Sequence, residues 1–253
     1  MAIIYRPKGR ALEYSFLAAN IYRGCSHGCK YCYAPAVLRM NLSGFSKNPQ
    51  IRKNILKELE NDADKYEGTD ERVLLCFTCD PYQPLSSCGI TRSAIEILAK
   101  HKIPFQVLTK GGMRAVKDFD LYGPNDAFAT TMTFLDANQS LEWEPGAALP
   151  ADRISAIKEA HWKYGIDTWV SLEPVIDPEQ SLRVIDETHE FVNLYKIGRM
   201  NHRQSDIDWR SFGQRAIELC EKHKTSYYIK DDLAKELNGI EFTNTDTRKV
   251  VRQ

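Results

Sequence analysis

Residues 72–109 read RVLLCFTCDPYQPLSSCGITRSAIEILAKHKIPFQVLT. The segment begins and ends with short runs rich in β-branched and aromatic residues, Arg72–Phe77 and Phe105–Thr109, which are typical of buried strands. Between them, Thr91–His101 places its apolar residues on one face, as an amphipathic helix does. A strand, a helix and a strand in this order predict one unit of a parallel α/β sheet.

The same alternation continues on both sides of this unit. Six or seven such repeats with right-handed crossovers predict a full or partial barrel of α/β class, and an open doubly wound sheet shares the same alternation. We expect a partial (β/α)6-type barrel. The further predicted strands are Phe16–Tyr22, Ala127–Thr133, Thr168–Leu172, Phe191–Ile197 and Ser226–Ile229, and the further helices are Pro49–Tyr66, Ala151–Tyr164, Pro178–Glu190 and Arg210–Lys224.

Two segments lack these patterns. Residues 134–150 are predicted to form the longest irregular connection, and the basic tail with Arg248, Lys249 and Arg252 is expected to fray.

Length and composition predict one domain over residues 1–253, with a core at about 16–230 and a C-terminal extension at about 231–253. The 34 Lys and Arg residues balance 34 Asp and Glu residues, which argues against a surface that holds polyanions loosely. Apolar runs are only a few residues long, so we expect neither a membrane span nor a signal peptide, and a cytoplasmic location.

Seven cysteines, an odd number, indicate metal or redox chemistry before a disulfide framework. Three of them stand in Cys25-Ser-His-Gly-Cys29-Lys-Tyr-Cys32, close enough to converge on one metal site. Structural zinc needs four ligands, and His27 is poorly placed to be the fourth. A three-cysteine loop suits a cubane cluster in which one iron lacks a protein ligand and takes an exogenous one. A zinc-binding module that interacts with nucleic acid is the alternative.

The neighbourhood of this loop is basic. No Asp or Glu occurs from Tyr14 to Lys57, although seven cations fall there: Arg23, Lys30, Arg39, Lys47, Arg52, Lys53 and Lys57. Positive charge stabilises a reduced, thiolate-ligated cluster. A solvated basic face or a nucleic-acid patch would give the same pattern.

The run from Cys25 to Tyr33 resembles the signature of the radical S-adenosylmethionine (SAM) superfamily. The resemblance implies a [4Fe-4S] cluster on Cys25, Cys29 and Cys32, whose unique iron chelates the amino and carboxylate groups of SAM. It further implies an external electron donor of the flavodoxin or ferredoxin kind. Reductive cleavage of SAM would then give methionine and a 5′-deoxyadenosyl radical that abstracts hydrogen from a substrate.

Further motifs resemble the spore photoproduct lyase-like group, described as DNA repair photolyase-like. They are Cys79-Asp-Pro-Tyr-Gln-Pro84, Ile103-Pro104 with Leu108-Thr-Lys110, and Leu141-Glu-Trp-Glu-Pro145 with Pro150 and Arg153. The sequence departs from the group at Cys79, where Thr is usual, and at the nearby Cys88. The resemblance implies a radical enzyme without giving its reaction. We expect a nucleobase or nucleotide substrate, free or in nucleic acid. A small molecule or a peptide is the alternative.

Polar residues follow the predicted strands, where barrel enzymes collect their catalytic groups. A SAM ammonium group needs a carboxylate or carbonyl, its carboxylate needs a cation, and its ribose needs hydroxyls or a carboxylate. Residues that meet these needs are Asp80, Lys110, Thr131, Ser171 and Glu173, although strand-end residues also cap helices. Tyr31 is a candidate to stack on the adenine or a base.

The remaining cysteines have several interpretations. Cys79 is either a hydrogen-atom donor beside the cofactor or a small packed residue, and Cys76, Cys79 and Cys88 could ligate a second cluster. His202 is the histidine expected near the site.

Overall fold

The structure is a computed structural model that describes residues 2–84, 89–200 and 205–250. Its strands are β1 Ile4–Tyr5, β2 Leu17–Ala19, β3 Tyr22–Arg23, β4 Gln50–Ile51, β5 Val73–Leu75, β6 Phe105–Thr109, β7 Ala127–Thr131, β8 Asp167–Leu172, β9 Leu194–Ile197 and β10 Ser226–Ile229. Its α-helices are α1 Ala34–Val37, α2 Leu42–Lys47, α3 Ile55–Tyr66, α4 Gly89–Lys100, α5 Ala137–Trp143, α6 Pro150–Tyr164, α7 Pro178–Thr188, α8 Trp209–His223 and α9 Asp231–Ala234.

The main sheet has the strand order β1-β2-β5-β6-β7-β8-β9-β10. From β2 to β10 every neighbouring pair is parallel, whereas β1 runs antiparallel to β2. Helices cross from one parallel strand to the next, and all but three residues of the parallel strands are buried. The predicted α/β class is therefore confirmed.

The two faces of the sheet carry different side chains. In β7, Phe128 packs into the large cluster beneath the helices, whereas Ala127 and Ala129 face a second cluster. In β8, Val170 packs into the large cluster and Trp169 faces the second one. This period of two puts the second cluster on the inner face of the curved sheet.

The N-terminal segment occupies part of this inner face. A 3₁₀ turn at Gly9–Glu13 leads to Tyr14, whose carbonyl oxygen accepts hydrogen bonds from Gln106 of β6 at 2.9 Å and Lys196 of β9 at 3.0 Å. Strands that are not adjacent thus hold one segment between them. Tyr14 joins the inner cluster beside Trp169.

Three predictions about local structure are wrong. The helix predicted at Pro49–Tyr66 begins only at Ile55, because Gln50–Ile51 pairs with β3. The connection at 134–150 is not irregular throughout, since Asp136 caps the helix α5 by accepting from the backbone of Gln139. The tail is not frayed as far as residue 250, because the backbone N–H of Val250 donates to Asp70 and Arg248 donates to Leu12. Arg252 lies outside the described residues.

Within the described ranges, no helix is both long and apolar enough to cross a membrane. The predicted division into one core and one extension stays a prediction, and the sheet itself begins earlier than that core, at Ile4.

Candidate active site

One cavity of about 640 Å³ lies at the carboxyl ends of the parallel strands. Its wall includes the ten residues that the sequence proposed as cluster ligands, cofactor-binding residues or hydrogen-atom donor. They come from separate segments between the cysteine loop and the residue after β8. The structure brings together Cys25, Cys29, Tyr31, Cys32, Cys79, Asp80, Lys110, Thr131, Ser171 and Glu173.

The cysteine loop begins directly after β3 with Gly24, whose φ is +97°. A Cβ at this position would lie 2.6 Å from the carbonyl oxygen of Phe45, so only glycine fits. The loop is held there because the N–H of Cys25 donates to the same oxygen at 3.1 Å. Cys25 and Cys32 are half-buried, and Cys29 is buried.

Burial raises the pKa of all three thiols, that of Cys29 to about 12. Deprotonated sulfur in this cavity therefore needs a positive partner, and cluster irons supply one. In the described part of the chain, no three His, Cys, Asp or Glu side chains form a site for a single metal ion. The thiols that hold a cubane each bind a different iron, so they need not converge as the ligands of one ion do. The donor set fits a cluster.

Segment 137–150 holds the cysteine loop through backbone hydrogen bonds. The N–H of Lys30 donates to the carbonyl of Trp143 at 2.8 Å, and the N–H of Gly146 donates to that of His27 at 2.9 Å. A Cβ on Gly146 would lie 2.3 Å from the carbonyl oxygen of Ser26. The two backbones therefore pack too closely for any side chain between them.

The Tyr31 hydroxyl forms a hydrogen bond with the same segment, 137–150. It donates to the buried carboxylate of Glu144, which also accepts from Thr133 at 3.2 Å and pairs with the fully buried Arg153. Burial raises the pKa of Glu144, but the charges of Arg153 and Lys110 outweigh it, so the pKa lies below its ordinary value. Glu144 thus stays ionised, and Tyr31 lines the cavity with its hydroxyl fixed.

Asp80 is surrounded by donors from the protein. Its Oδ1 accepts from the Thr109 hydroxyl at 2.6 Å and the backbone of Tyr82 at 2.8 Å, and its Oδ2 accepts from the backbone of Lys110 at 2.8 Å. The Nδ1 atom of His27 lies 3.4 Å from the same Oδ2. Asp80 therefore organises the strand ends around it, where the sequence suggested only a ligand for the cofactor.

His27 is buried, and burial lowers its pKa to about 4 despite the opposing charge of Asp80. Its Nε2 lies 3.3 Å from the Arg114 guanidinium, which can only donate. The neutral ring thus carries its proton on Nδ1, facing Asp80. Both ring nitrogens are engaged by side chains other than cysteines, in agreement with the expectation that His27 is not a fourth ligand.

Lys110 supplies positive charge at the cysteine end. Its Nζ lies 5.6 Å from the centre of the Tyr31 ring. Burial lowers the pKa of Lys110, but the negative charges of Cys29 and Glu144 more than compensate and leave it above the ordinary value. The side chain is therefore a permanent cation beside the thiols.

Glu173 stands at the other end of the cavity. Its Oε2 accepts from the Tyr14 hydroxyl at 2.7 Å and forms an ion pair with Lys230, and the Tyr14 hydroxyl lies 3.1 Å from Ser171 Oγ. The Lys230 ammonium sits 4.1 Å from the centre of the Tyr14 ring. Sequence reasoning missed Tyr14, because it precedes the first predicted strand and belongs to no motif.

Cys79 follows β5 and shares the cavity wall with Cys76. Burial raises the pKa of Cys79 well above its ordinary value, as does a hydrogen bond with the Cys76 thiol. Asn20 fixes this turn by accepting from the backbone of Phe77 at 2.8 Å and of Thr78 at 2.7 Å. The other two residues proposed here, Cys88 and His202, lie outside the described residues.

Comparison with known proteins gives a family and a fold. A family profile described as the radical SAM superfamily matches residues 19–192. An uncharacterized protein of Methanocaldococcus jannaschii is 25% identical over 190 residues, which cover 74% of this chain and 71% of that protein. An uncharacterized protein of Mycobacterium tuberculosis is 27% identical over 183 residues, covering 67% of this chain and 52% of that protein.

Two solved structures have the same fold. A spore photoproduct lyase mutant gives a TM-score of 0.68 at 12% identity, covering 92% of this chain and 80% of that one. Streptococcus suis SuiB bound to S-adenosylmethionine gives a TM-score of 0.64 at 12% identity, covering 89% of this chain and 50% of that one. The chain thus spans about half the length of SuiB and of the Mycobacterium protein.

These likenesses confirm the predicted partial-barrel fold. The profile covers more than two thirds of the chain, including the cysteine loop and every strand from β2 to β8 except the first residues of β2. The family uses a [4Fe-4S] cluster and SAM, which contradicts the zinc-module alternative. The chain belongs to the radical SAM superfamily, whose members are enzymes.

Proposed function

We propose that Cys25, Cys29 and Cys32 bind three irons of a [4Fe-4S] cluster and that the cavity around them holds SAM beside a nucleobase or nucleotide substrate. When bound, these cofactors supply the electron and the 5′-deoxyadenosyl radical that abstracts hydrogen from the substrate. The observation that carries the proposal is one cavity whose wall includes three thiols, a half-buried cation and a carboxylate.

Lys110 binds the SAM carboxylate in this proposal. The Lys110 cation is half-buried beside the Tyr31 ring and near Cys29, where it can form a charge-assisted hydrogen bond with an anionic ligand. Asp80 acts through Lys110, because it holds the Lys110 backbone rather than offering free oxygens. Asp80 is therefore proposed as a positioning residue.

Glu173, Thr131 and Ser171 form the polar wall for the ammonium group and the ribose hydroxyls. The Glu173 carboxylate is oriented by two donors, Tyr14 and Lys230, so little side-chain entropy remains to be lost on binding. A carboxylate held in this way accepts hydrogen bonds from hydroxyl or ammonium groups without moving.

The substrate proposal rests on aromatic residues in the cavity wall. The ring of Phe77 lies 5.8 Å from that of Tyr33 and 5.9 Å from that of Tyr14, and all three line the cavity. Planar bases stack on such rings. Similarity in fold to spore photoproduct lyase agrees with a nucleobase or nucleotide substrate. The competing substrate class is a peptide, because SuiB, which has a similar fold, was solved with its precursor peptide.

Cys79 is proposed to return a hydrogen atom to the substrate radical. Its S–H bond breaks, a C–H bond forms, and the sulfur is left as a thiyl radical. The support is its place on the cavity wall and its fixed turn. Cys79→Ala should still form 5′-deoxyadenosine. The yield of product that carries deuterium from the solvent should fall below that of the wild type.

The experiment uses anaerobically reconstituted protein with SAM and a reductant. Nucleosides, oligonucleotides and peptides labelled with deuterium are screened for deuterium in 5′-deoxyadenosine. Transfer from a nucleoside or oligonucleotide supports the proposal, and transfer only from peptides overturns its substrate class. If no 5′-deoxyadenosine forms while the cluster is fully loaded, the cavity does not hold SAM productively.

A further inference from the structure

Cys76 and Cys79 form a C-x-x-C pair that is separate from the three cysteines of the loop. Both residues line the active-site cavity. In an extended strand, residues three positions apart point to opposite faces, so two such residues share one wall only if the chain bends between them. The chain bends over residues 77–79, soon after the end of β5. The bend therefore brings both cysteines to the same cavity.

Asn20, which follows β2, holds this bend from the neighbouring strand end. Its Oδ1 atom accepts from the consecutive backbone N–H groups of Phe77 at 2.8 Å and Thr78 at 2.7 Å. The same oxygen lies 3.9 Å from the Cys79 sulfur. The Asn20 amide nitrogen donates to the Tyr5 hydroxyl at 2.8 Å, which orients the amide. A buried side chain thus fixes the backbone between the two cysteines.

The two thiols are in direct contact, because a hydrogen bond joins them. Cys76 is 4% exposed and Cys79 is half-buried, so the pair is reached through the cavity. A disulfide requires two cysteines whose Cβ atoms lie close together. Two hydrogen-bonded sulfurs on one short bend need little backbone movement to meet that requirement.

A bound metal ion does not account for the pair. Two thiols are fewer ligands than a structural zinc ion or an iron–sulfur cluster requires. In the described part of the chain, no third His, Cys, Asp or Glu joins them in a site for a metal ion. The adjacent carboxylate, Asp80, already accepts from Thr109 and Lys110. The pair is left with the chemistry of a dithiol.

We propose that Cys76 and Cys79 are a redox-active dithiol, which a small disulfide such as oxidised glutathione converts to an intramolecular disulfide. One cysteine thiolate attacks the glutathione disulfide, whose S–S bond breaks, and one glutathione leaves. The second cysteine attacks the mixed disulfide, and the other glutathione leaves. Two electrons and two protons pass from the pair to glutathione, and a dithiol such as dithiothreitol reverses the exchange.

The consequence for catalysis rests on the proposed function, in which Cys79 returns a hydrogen atom to the substrate radical. A disulfide has no S–H bond, so the oxidised pair has no hydrogen atom to give. Cys25, Cys29 and Cys32 take no part in the exchange while irons occupy them. Oxidation of the pair therefore stops the return of hydrogen without removing the cluster.

The test uses anaerobically reconstituted protein, equilibrated with glutathione buffers that range from fully reduced to fully oxidised. The thiols are trapped with acid and alkylated, and the mass of the tryptic peptide 73–92 is measured. Because this peptide also contains Cys88, every protein carries Cys88→Ala. Cys76→Ala and Cys79→Ala each remove one member of the pair. Cys220→Ala is the matched control, since it removes a buried thiol on helix α8 instead.

We expect oxidised glutathione to remove two hydrogens and both alkylation sites from at least about half of the peptide, and dithiothreitol to restore them. Cys220→Ala should behave in the same way, whereas neither pair variant should form a disulfide within the peptide. Iron content should stay constant throughout. Thiols that remain alkylated in every buffer, a stable glutathione adduct without ring closure, or a disulfide between Cys79 and Cys25 overturns the proposal.

The same samples separate this inference from the proposed function. SAM and photoreduced 5-deazariboflavin are added to the reduced protein, and 5′-deoxyadenosine is measured. A protein whose pair cycles between dithiol and disulfide but which forms no 5′-deoxyadenosine supports the redox pair and contradicts the proposed function. A protein that forms 5′-deoxyadenosine but never the disulfide overturns the redox pair alone.

Discussion

The guanidinium of Arg153 lies 2.5 Å from the carboxylate of Glu144, and neither side chain has any solvent exposure. Arg153 also donates to the carbonyls of Ala148 at 2.7 Å and Thr131 at 3.0 Å. Since Glu144 accepts from Tyr31 between two cysteines of the motif, the ion pair connects β7 and α6 to the cysteine loop. A charge pair in the interior thus fixes the shape of the proposed cluster site.

Glu144→Gln should destabilise the protein by about 3–5 kcal/mol, because it leaves the buried Arg153 without a counter-charge. Iron loading should fall as well, since Tyr31 loses its acceptor. Urea unfolding of the apoprotein and iron analysis measure the two effects. The control is Glu142→Gln in helix α5, two residues earlier. Its ion pair with Lys30 is exposed, so the change in stability should be less than about 1 kcal/mol. Similar small losses in both variants would contradict a structural role for the pair.

Gly146→Ala should reduce iron loading by at least half without unfolding the chain. Its Cβ would lie 2.3 Å from the carbonyl oxygen of Ser26 and 2.9 Å from the Cα of His27, so the cysteine loop must shift. Gly89→Ala is the control, because nothing lies within 4 Å of its Cβ position. Iron content after anaerobic reconstitution checks this, and a fully loaded Gly146→Ala protein would show that the loop tolerates the shift.

Reconstituted wild type should bind about four irons and be brown, and Ala at Cys25, Cys29 or Cys32 should abolish the cluster. Cys220→Ala and Cys76→Ala should keep iron near the wild-type level, because both side chains pack in the hydrophobic core and neither belongs to the cysteine loop. A loss of half the iron in either variant would indicate a second cluster. Full loading of Cys29→Ala would reject the assignment of the ligands.

Asp80→Ala and Glu173→Gln should distinguish a residue that positions Lys110 from one that contacts SAM directly. Both should weaken SAM affinity by roughly ten- to a hundredfold, which corresponds to about 1.5–3 kcal/mol for a lost charge-assisted contact. Asp80→Ala should also lower the free energy of unfolding, since three internal hydrogen bonds lose their acceptor. Calorimetry with SAM and urea titration give the two quantities. Unchanged affinity in both variants would assign these carboxylates to other roles.

Lys196 should make stability rise with pH above neutrality. It is fully buried, and burial together with the charge of Lys230 lowers its pKa from 10.5 to about 7. Between these values the unfolded chain binds more protons than the folded one, so unfolding becomes less favourable as pH rises from about 7 towards 10. Lys196→Met should flatten this dependence. Urea midpoints at pH 7 and 9.5 test this prediction. If the midpoint changes equally with pH in both proteins, the lowered pKa of Lys196 is contradicted.

The cysteine spacing and the strand–helix alternation were sufficient to predict the family, the α/β class and the cofactors. Both are local signals: three thiols within one loop, and a hydrophobic period that changes between two and 3.6 residues. Predicted strands such as Phe105–Thr109 and Ser226–Ile229 match the structure residue for residue for the same reason. The polar residues that were proposed because they follow predicted strands also line one cavity.

Tertiary structure decided what those residues do. Asp80 looked like a free carboxylate in the sequence, but Thr109, Lys110 and His27 from two other segments engage its oxygens. No pattern in the chain encodes contacts between residues 29 or more positions apart. Nothing in the sequence marked Tyr14, and the motif that contains Glu144 gave that residue no role, because the roles of both come from partners 159 and 113 residues away. Sequence periodicity reports which face of an element is buried. Which distant side chain meets it there depends on how the curved sheet brings its strand ends together.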